Sequence, residues 1–199
     1  MEGFLFFWLA WSGWIFFTFI MEKDHPARFP LAALVSLVII LAKYSFSLGP
    51  LEISWAVLLL LPTGFFYYRK RRFRELVTSG LKILIITAFA TAFFILSVYD
   101  PVWIFLDIHW MQTILFAPLS LLLFHHFGER FVATMIGFIQ ADFLFSLLLA
   151  NFGLHHPVLS LSFFDGLSLL FAVLSVWSGL ENLHQSFGNP VRHGRGKGI

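Results

Sequence analysis

The chain has 199 residues, 59% of them hydrophobic and 12% charged, with a formal charge of +2 and no cysteine. A soluble domain carries about a quarter charged residues and under half apolar ones, so the composition excludes that class. The missing cysteine excludes disulfides, thiolate metal centres and cysteine nucleophiles, and so small a net charge argues against a nucleic-acid partner.

The apolar residues fall into seven blocks of about 18 or more, the length a helix needs to cross ~30 Å of hydrocarbon. The blocks consume nearly the whole chain. The expected fold is all-α: one polytopic transmembrane helical bundle over residues 1–184, with a basic, Gly-rich tail over 185–199 expected to be disordered. Helix 1 covers about 3–21. It opens without a basic n-region and no small-x-small cleavage site follows, so it reads as a retained helix. Trp8, Trp11 and Trp14 on it suit packing or lipid contact.

A short polar loop leads to helix 2, about 29–48, and Gly49-Pro50 turns the chain into helix 3, about 51–68. The basic run Arg69, Lys70, Arg71, Arg72, Arg74 follows. Helix 4 spans about 76–98, with Lys82 close enough to its end to snorkel. Asp100-Pro101 then breaks the helix, and 102–106 is too short to cross. Helix 5 covers about 107–127 with a kink expected at Pro118, and helix 6 about 129–151. Gly153-Leu154-His155-His156-Pro157 turns into helix 7, about 161–183.

Charge orients the bundle, because short loops rich in Lys and Arg stay cytoplasmic. With the basic run inside, Lys23, Arg28, Lys82, Arg130, Arg192, Arg195 and Lys197 fall on the same side. Of the 13 basic residues only Lys43 is left outside. The N-terminus is then outside and the C-terminus inside. Anionic lipid head groups are a sufficient partner for the run, at about 1 kcal/mol per basic residue.

The opening Met1-Glu2-Gly3-Phe4-Leu5-Phe6-Phe7-Trp8-Leu9-Ala10-Trp11, the basic run and the overall length resemble the YphA family. These are uncharacterised integral membrane proteins of Bacillus and related Gram-positive bacteria. The resemblance implies a bacterial plasma membrane and carries over no catalytic or binding residue.

Polar groups deep in a bilayer are costly and are the default functional candidates. Helix 6 has two near its middle, Gln140 and Asp142. Ala133, Gly137 and Ala141 form a small-residue stripe for close packing. Gln140 lies about 60° and Asp142 about 140° from Gly137 around the helix, so Gln140 reaches that interface and Asp142 faces another neighbour or a cavity. On helix 7, Asp165, Ser168, Ala172, Ser175, Gly179 and Asn182 share a face too small and polar for lipid, which should meet other helices.

Asp142 and Asp165 each lie on the order of 6–13 Å below the outer surface. Close carboxylates in low dielectric titrate in separated steps, the equipment of a proton- or cation-binding site. Against this, Ser162-x-x-Asp165 fits a capping box, which makes Asp165 structural, and Asp142 also suits structural hydrogen bonding. Asp107, His109, His155 and His156 fall outside and are weak candidates for a divalent transition ion. His125-His126 suits the cationic end of helix 5.

No zinc-protease, nucleophile-elbow or phosphate-loop motif occurs, and no cofactor is called for. The expected function is a non-enzymatic accessory or scaffold protein of the plasma membrane, with a protein partner of the basic loop as a further possibility. The alternative is a small transporter of protons, cations or small solutes using Asp142 and Asp165. A transporter requires an outward cavity lined by Asp142. A scaffold requires Asp142 hydrogen-bonded in a packed bundle with no continuous polar path.

Overall fold

The computed structural model describes residues 2–188, and the side chains of Trp103, Asn182 and 184–188 are not among those described. The tail expected to be disordered from 185 is helical over its first four residues, because the last helix runs to Gly188; the rest of it, 189–199, and the side chain of Asn182 lie outside the described residues.

Seven α-helices follow in this span: α1 (Phe4–Ile15), α2 (Arg28–Leu41), α3 (Val57–Tyr68), α4 (Phe73–Tyr99), α5 (Ile108–Leu123), α6 (Phe127–Asn151) and α7 (Leu161–Gly188). A π-helical turn, Phe16–Ile20, extends α1, and a 3-10 turn, Pro101–Trp103, joins α4 to α5. Three helices are long and apolar enough to cross a bilayer: Phe73–Tyr99, Phe127–Asn151 and Leu161–Glu181. The other four are shorter, so the expectation of seven full-length helical blocks is corrected.

The difference is greatest around Gly49-Pro50. The turn forms where expected, but it joins two strands rather than two helices. β1 (Ser45–Leu48) pairs antiparallel with β2 (Leu51–Ser54), with Phe46 opposite Ile53 and Ser47 opposite Glu52. Gly49 takes φ 63°, the left-handed geometry glycine tolerates. Ser45 donates to Glu52 across the pair. Helix 2 thus stops at Leu41 and helix 3 starts at Val57, and the all-α expectation gives way to helices plus one hairpin. The physical reason is alternation: Ser45, Ser47, Glu52 and Ser54 interleave with Phe46, Leu48, Leu51 and Ile53, a period of two rather than 3.6.

The hairpin is stitched to the α6–α7 turn. Val158 donates its N–H to Glu52 O (2.7 Å) and accepts from Ser54 N (3.1 Å). This satisfies backbone groups that hydrocarbon would leave unpaired.

Packing centres on α6. Its stripe of Ala133, Gly137 and Ala141 is buried, and Gly137 lies against Ile86 and the Ile83 carbonyl of α4. Phe93, Phe94, Phe116 and Phe138 form a layer across the interior, with Phe116 and Phe138 ring centres 4.9 Å apart. On α7 the buried face is Phe163, Phe164, Leu167, Leu170 and Leu174, against α1 and α5. The small-residue stripe there behaves differently from expectation. Asp165 is buried and Ser168 and Ala172 are half-buried, but Ser175 and Gly179 are exposed in the single chain. The large α7 side chains bury more apolar area than the small ones and so turn that helix's other face inward. Trp8, Phe19, Phe65 and Leu122 lie exposed outside, which suits an apolar surround.

Candidate functional site

The starts of α1, α5 and α7 and the ends of α4 and α6 gather at one end of the bundle with the hairpin. The basic run lies at the opposite end. Each end has its own polar cluster.

Asp165 sits one turn into α7 and is 3% exposed. Its Oδ2 accepts from Gly3 N (2.6 Å) and its Oδ1 from Phe6 N (2.7 Å). The carboxylate therefore caps α1, a helix whose own N-terminal residues supply no side-chain cap. The capping-box reading is corrected: Ser160, not Ser162, caps α7, its Oγ accepting from Phe163 N at 3.2 Å. Asp165 is structural as that reading held, but the helix it serves is 159 residues or more away in sequence.

Asp142 is likewise 3% exposed. Its Oδ2 accepts from Leu159 N at 2.6 Å, holding a fully buried residue that has a left-handed φ of 55°. Leu159 adjoins Val158, so the same carboxylate secures the stitched turn beneath the hairpin. Its Oδ1 lies 3.4 Å from His156 Nε2, a long contact that leaves this oxygen available as an acceptor. No contact joins Asp142 to Asp165 among the described residues. Each is committed to its own backbone N–H groups.

Asp142 also faces a cavity of about 220 Å³ between α4, α5, α6 and α7. His109, Gln112, His156, Ser160 and Ser162 line it with Asp142. Gln112 is a site residue that sequence reasoning passed over, although a lone amide inside an apolar helix was the signal that singled out Gln140. The amide is 5% exposed and packs over Gly166, where an added Cβ would come within 2.6 Å of Gln112 Oε1. One turn nearer the basic end, the Phe93, Phe94, Phe116, Phe138 layer fills the interior. Phe138 is fully buried.

The remaining candidates disperse. Gln140 is exposed at the edge of the α4–α6 seam and accepts from Thr87 Oγ1 at 3.0 Å, the interface bond its angle implied. Asp107 caps α5 by accepting from His109 N at 3.0 Å. His155 is exposed and borders the hairpin. Among the described residues no three His, Asp or Glu side chains converge on an ion, so Asp107, His109, His155 and His156 do not form a common ligand set. His125 and His126 lie in the α5–α6 link rather than on α5.

At the basic end Arg71 pairs with Glu75 at 3.4 Å and approaches Glu129 at 4.0 Å. The Tyr67 hydroxyl, then the Glu75 and Glu129 carboxylates, push its guanidinium further above the ordinary value. Glu129 also accepts from Ser79 Oγ at 2.7 Å. Arg130 is 3% exposed, donating to Phe124 O (3.1 Å) and Ser178 Oγ (2.9 Å) and meeting Glu181 at 3.5 Å. These bonds tie the α3–α4 link, α4, α6 and α7 together. Lys82 lies 5.4 Å from the Phe124 ring centre. Arg69, Lys70, Arg72 and Arg74 are exposed, with no carboxylate partner among the described residues.

Comparison with known proteins agrees with a membrane bundle. The family model of the YphA-like integral membrane proteins matches residues 2–197. The uncharacterized protein YphA of Bacillus subtilis (strain 168) is 26% identical over 153 residues, covering 75% of this chain and 73% of that protein. No solved structure matches. The chain belongs to the YphA-like integral membrane family.

Proposed function

We propose that this member of the YphA-like family is a non-enzymatic accessory protein of the bacterial plasma membrane, its seven helices running alternately up and down with the N-terminus outside and the C-terminus cytoplasmic; three of them, α4, α6 and α7, are long enough to cross alone. The observation that carries the reading is the use of the buried carboxylates. Asp142 and Asp165 hold the backbone of Leu159, Gly3 and Phe6. Three of their four oxygens are committed to these N–H groups, and a carrier cycle that released them would undo the hairpin end; Asp142 Oδ1 alone keeps free acceptor capacity. Below them the rings of Phe93, Phe94, Phe116 and Phe138 pack against one another across the interior.

The distribution of Lys and Arg favours the orientation. Reporter fusions at the C-terminus test it: green fluorescent protein is expected to fluoresce there and alkaline phosphatase to stay inactive. The reverse pattern overturns the proposed topology.

The free cations of the basic loop suit anionic lipid at the cytoplasmic face. Converting Arg69, Lys70, Arg72 and Arg74 together to Gln is expected to remove most bound phosphatidylglycerol in native mass spectrometry. Arg71, held by Glu75, stays in place. Unchanged lipid retention rejects the lipid partner and turns attention to a protein.

One observation favours the alternative, a small transporter of protons, cations or small solutes: Asp142 does line a cavity at the hairpin end. Flux into proteoliposomes that Asp142→Asn abolishes would replace the accessory reading.

A further inference from the structure

We infer that the cavity among α4, α5, α6 and α7 binds a small organic ammonium cation. The inference concerns binding alone and holds whether or not the protein transports. Three properties of the walls select the ligand.

The first is charge. Among the described residues Asp142 is the sole carboxylate on the walls and no Lys or Arg lines them, so an anionic ligand would meet uncompensated repulsion. Oδ2 is committed to Leu159 N, but Oδ1 has only the 3.4 Å contact to His156 and keeps acceptor capacity.

The second is surface. Phe94, Phe145 and Phe163 are among the residues that line the cavity, with the aliphatic Val98, Ile108 and Leu149. An aromatic ring that turns its face to a cation attracts it through its quadrupole, worth roughly 2 kcal/mol or more when desolvated. An inorganic ion would forfeit its hydration to carbon walls. An alkylammonium group presents methyl or methylene groups to them.

The third is size and polarity. About 220 Å³ exceeds what one water occupies and suits a small molecule. Gln112, Ser160 and Ser162 offer hydrogen bonds to a hydroxyl or N–H on the ligand. A transition metal fits less well, because the His and Asp groups here do not converge on one ion.

The test is calorimetric titration of the full chain in lipid nanodiscs with choline chloride as probe. Its neutral isostere 3,3-dimethylbutan-1-ol and sodium chloride serve as controls. One saturable equivalent of choline is expected, about tenfold or more weaker in Asp142→Asn. The Asn keeps an acceptor for Leu159 N. Ser162→Phe fills the cavity without touching that bond and is expected to abolish binding, which decides the matter if Asp142→Asn fails to fold. Choline binding that survives Ser162→Phe, is matched by the neutral isostere or is displaced equally by sodium overturns the inference.

Discussion

Asp165→Ala is expected to release α1 from the bundle and to lower stability by about 3–6 kcal/mol, from two bonds to a charged acceptor at roughly 1.5–3 kcal/mol each. The N–H groups of Gly3 and Phe6 would lose their acceptor where no water replaces it. The carboxylate also faces the positive end of the α1 dipole. Two contacts make the loss hard to repair. Phe6 is 5% exposed and packs its ring 5.0 Å from that of Phe164, one residue before the aspartate. Gly3 has φ 85° and so little room that an added Cβ would meet Leu161 Cβ at 3.3 Å, fixing the chain entry to one path. Amide hydrogen exchange localises the effect. Residues 4–15 should exchange faster in Asp165→Ala while the α4–α6 core stays protected, and Asp165→Asn, with one carbonyl acceptor left, should fall between. Unchanged exchange across α1 would mean that the helix is held by its apolar contacts with α2 and α7 alone.

The sequence made the membrane class, the helix order and the α6 stripe legible because those rest on composition and local spacing. Ala133, Gly137 and Ala141 recur every four residues, and a helix must bring them to one face. The hairpin was legible too, through the alternating Ser45–Leu48 and Leu51–Ser54 around Gly49-Pro50. The length of the apolar run on either side masked that shorter signal. Nothing local pairs Asp165 with Gly3. That contact is made by folding, and the Ser162-x-x-Asp165 spacing pointed instead to a cap within α7. The candidate site divides in the same way. Asp142 stood out as a charge in a hydrophobic helix, while its partners Leu159 and His156 and its neighbour Gln112 come from two other segments. His109 and His156 do share one cavity, as outer loops allowed, but His155 points away to the hairpin.

Gly137→Leu is expected to cost more than substitution at Gly64 or Gly179, and the reason separates a packed seam from an open face. At Gly137 an added Cβ alone would come within 2.7 Å of Ile86 Cγ2 and 3.0 Å of Ile86 Cβ, with the Ile83 carbonyl at 3.4 Å. Ile86 is 1% exposed and branched at that same carbon, so it has nowhere to turn. Ala at 137 should therefore cost about 1–3 kcal/mol by overpacking, and Leu should exceed that range by forcing α4 off α6. Gly64 is crowded differently. Its added Cβ would meet Ile136 Cδ1 at 2.6 Å, the far end of a flexible, half-buried side chain that can move aside. Gly179 has nothing within 4 Å, so Gly179→Ala should be neutral or gain up to about 1 kcal/mol of helix propensity. Thermal unfolding of the three Ala variants and Gly137→Leu in one detergent tests the ranking 137, then 64, then 179. If Gly137→Ala unfolds with the wild type, α4 and α6 do not meet at that glycine. If Gly179→Ala is the damaging change instead, the exposed small face of α7 is covered in the membrane by another chain.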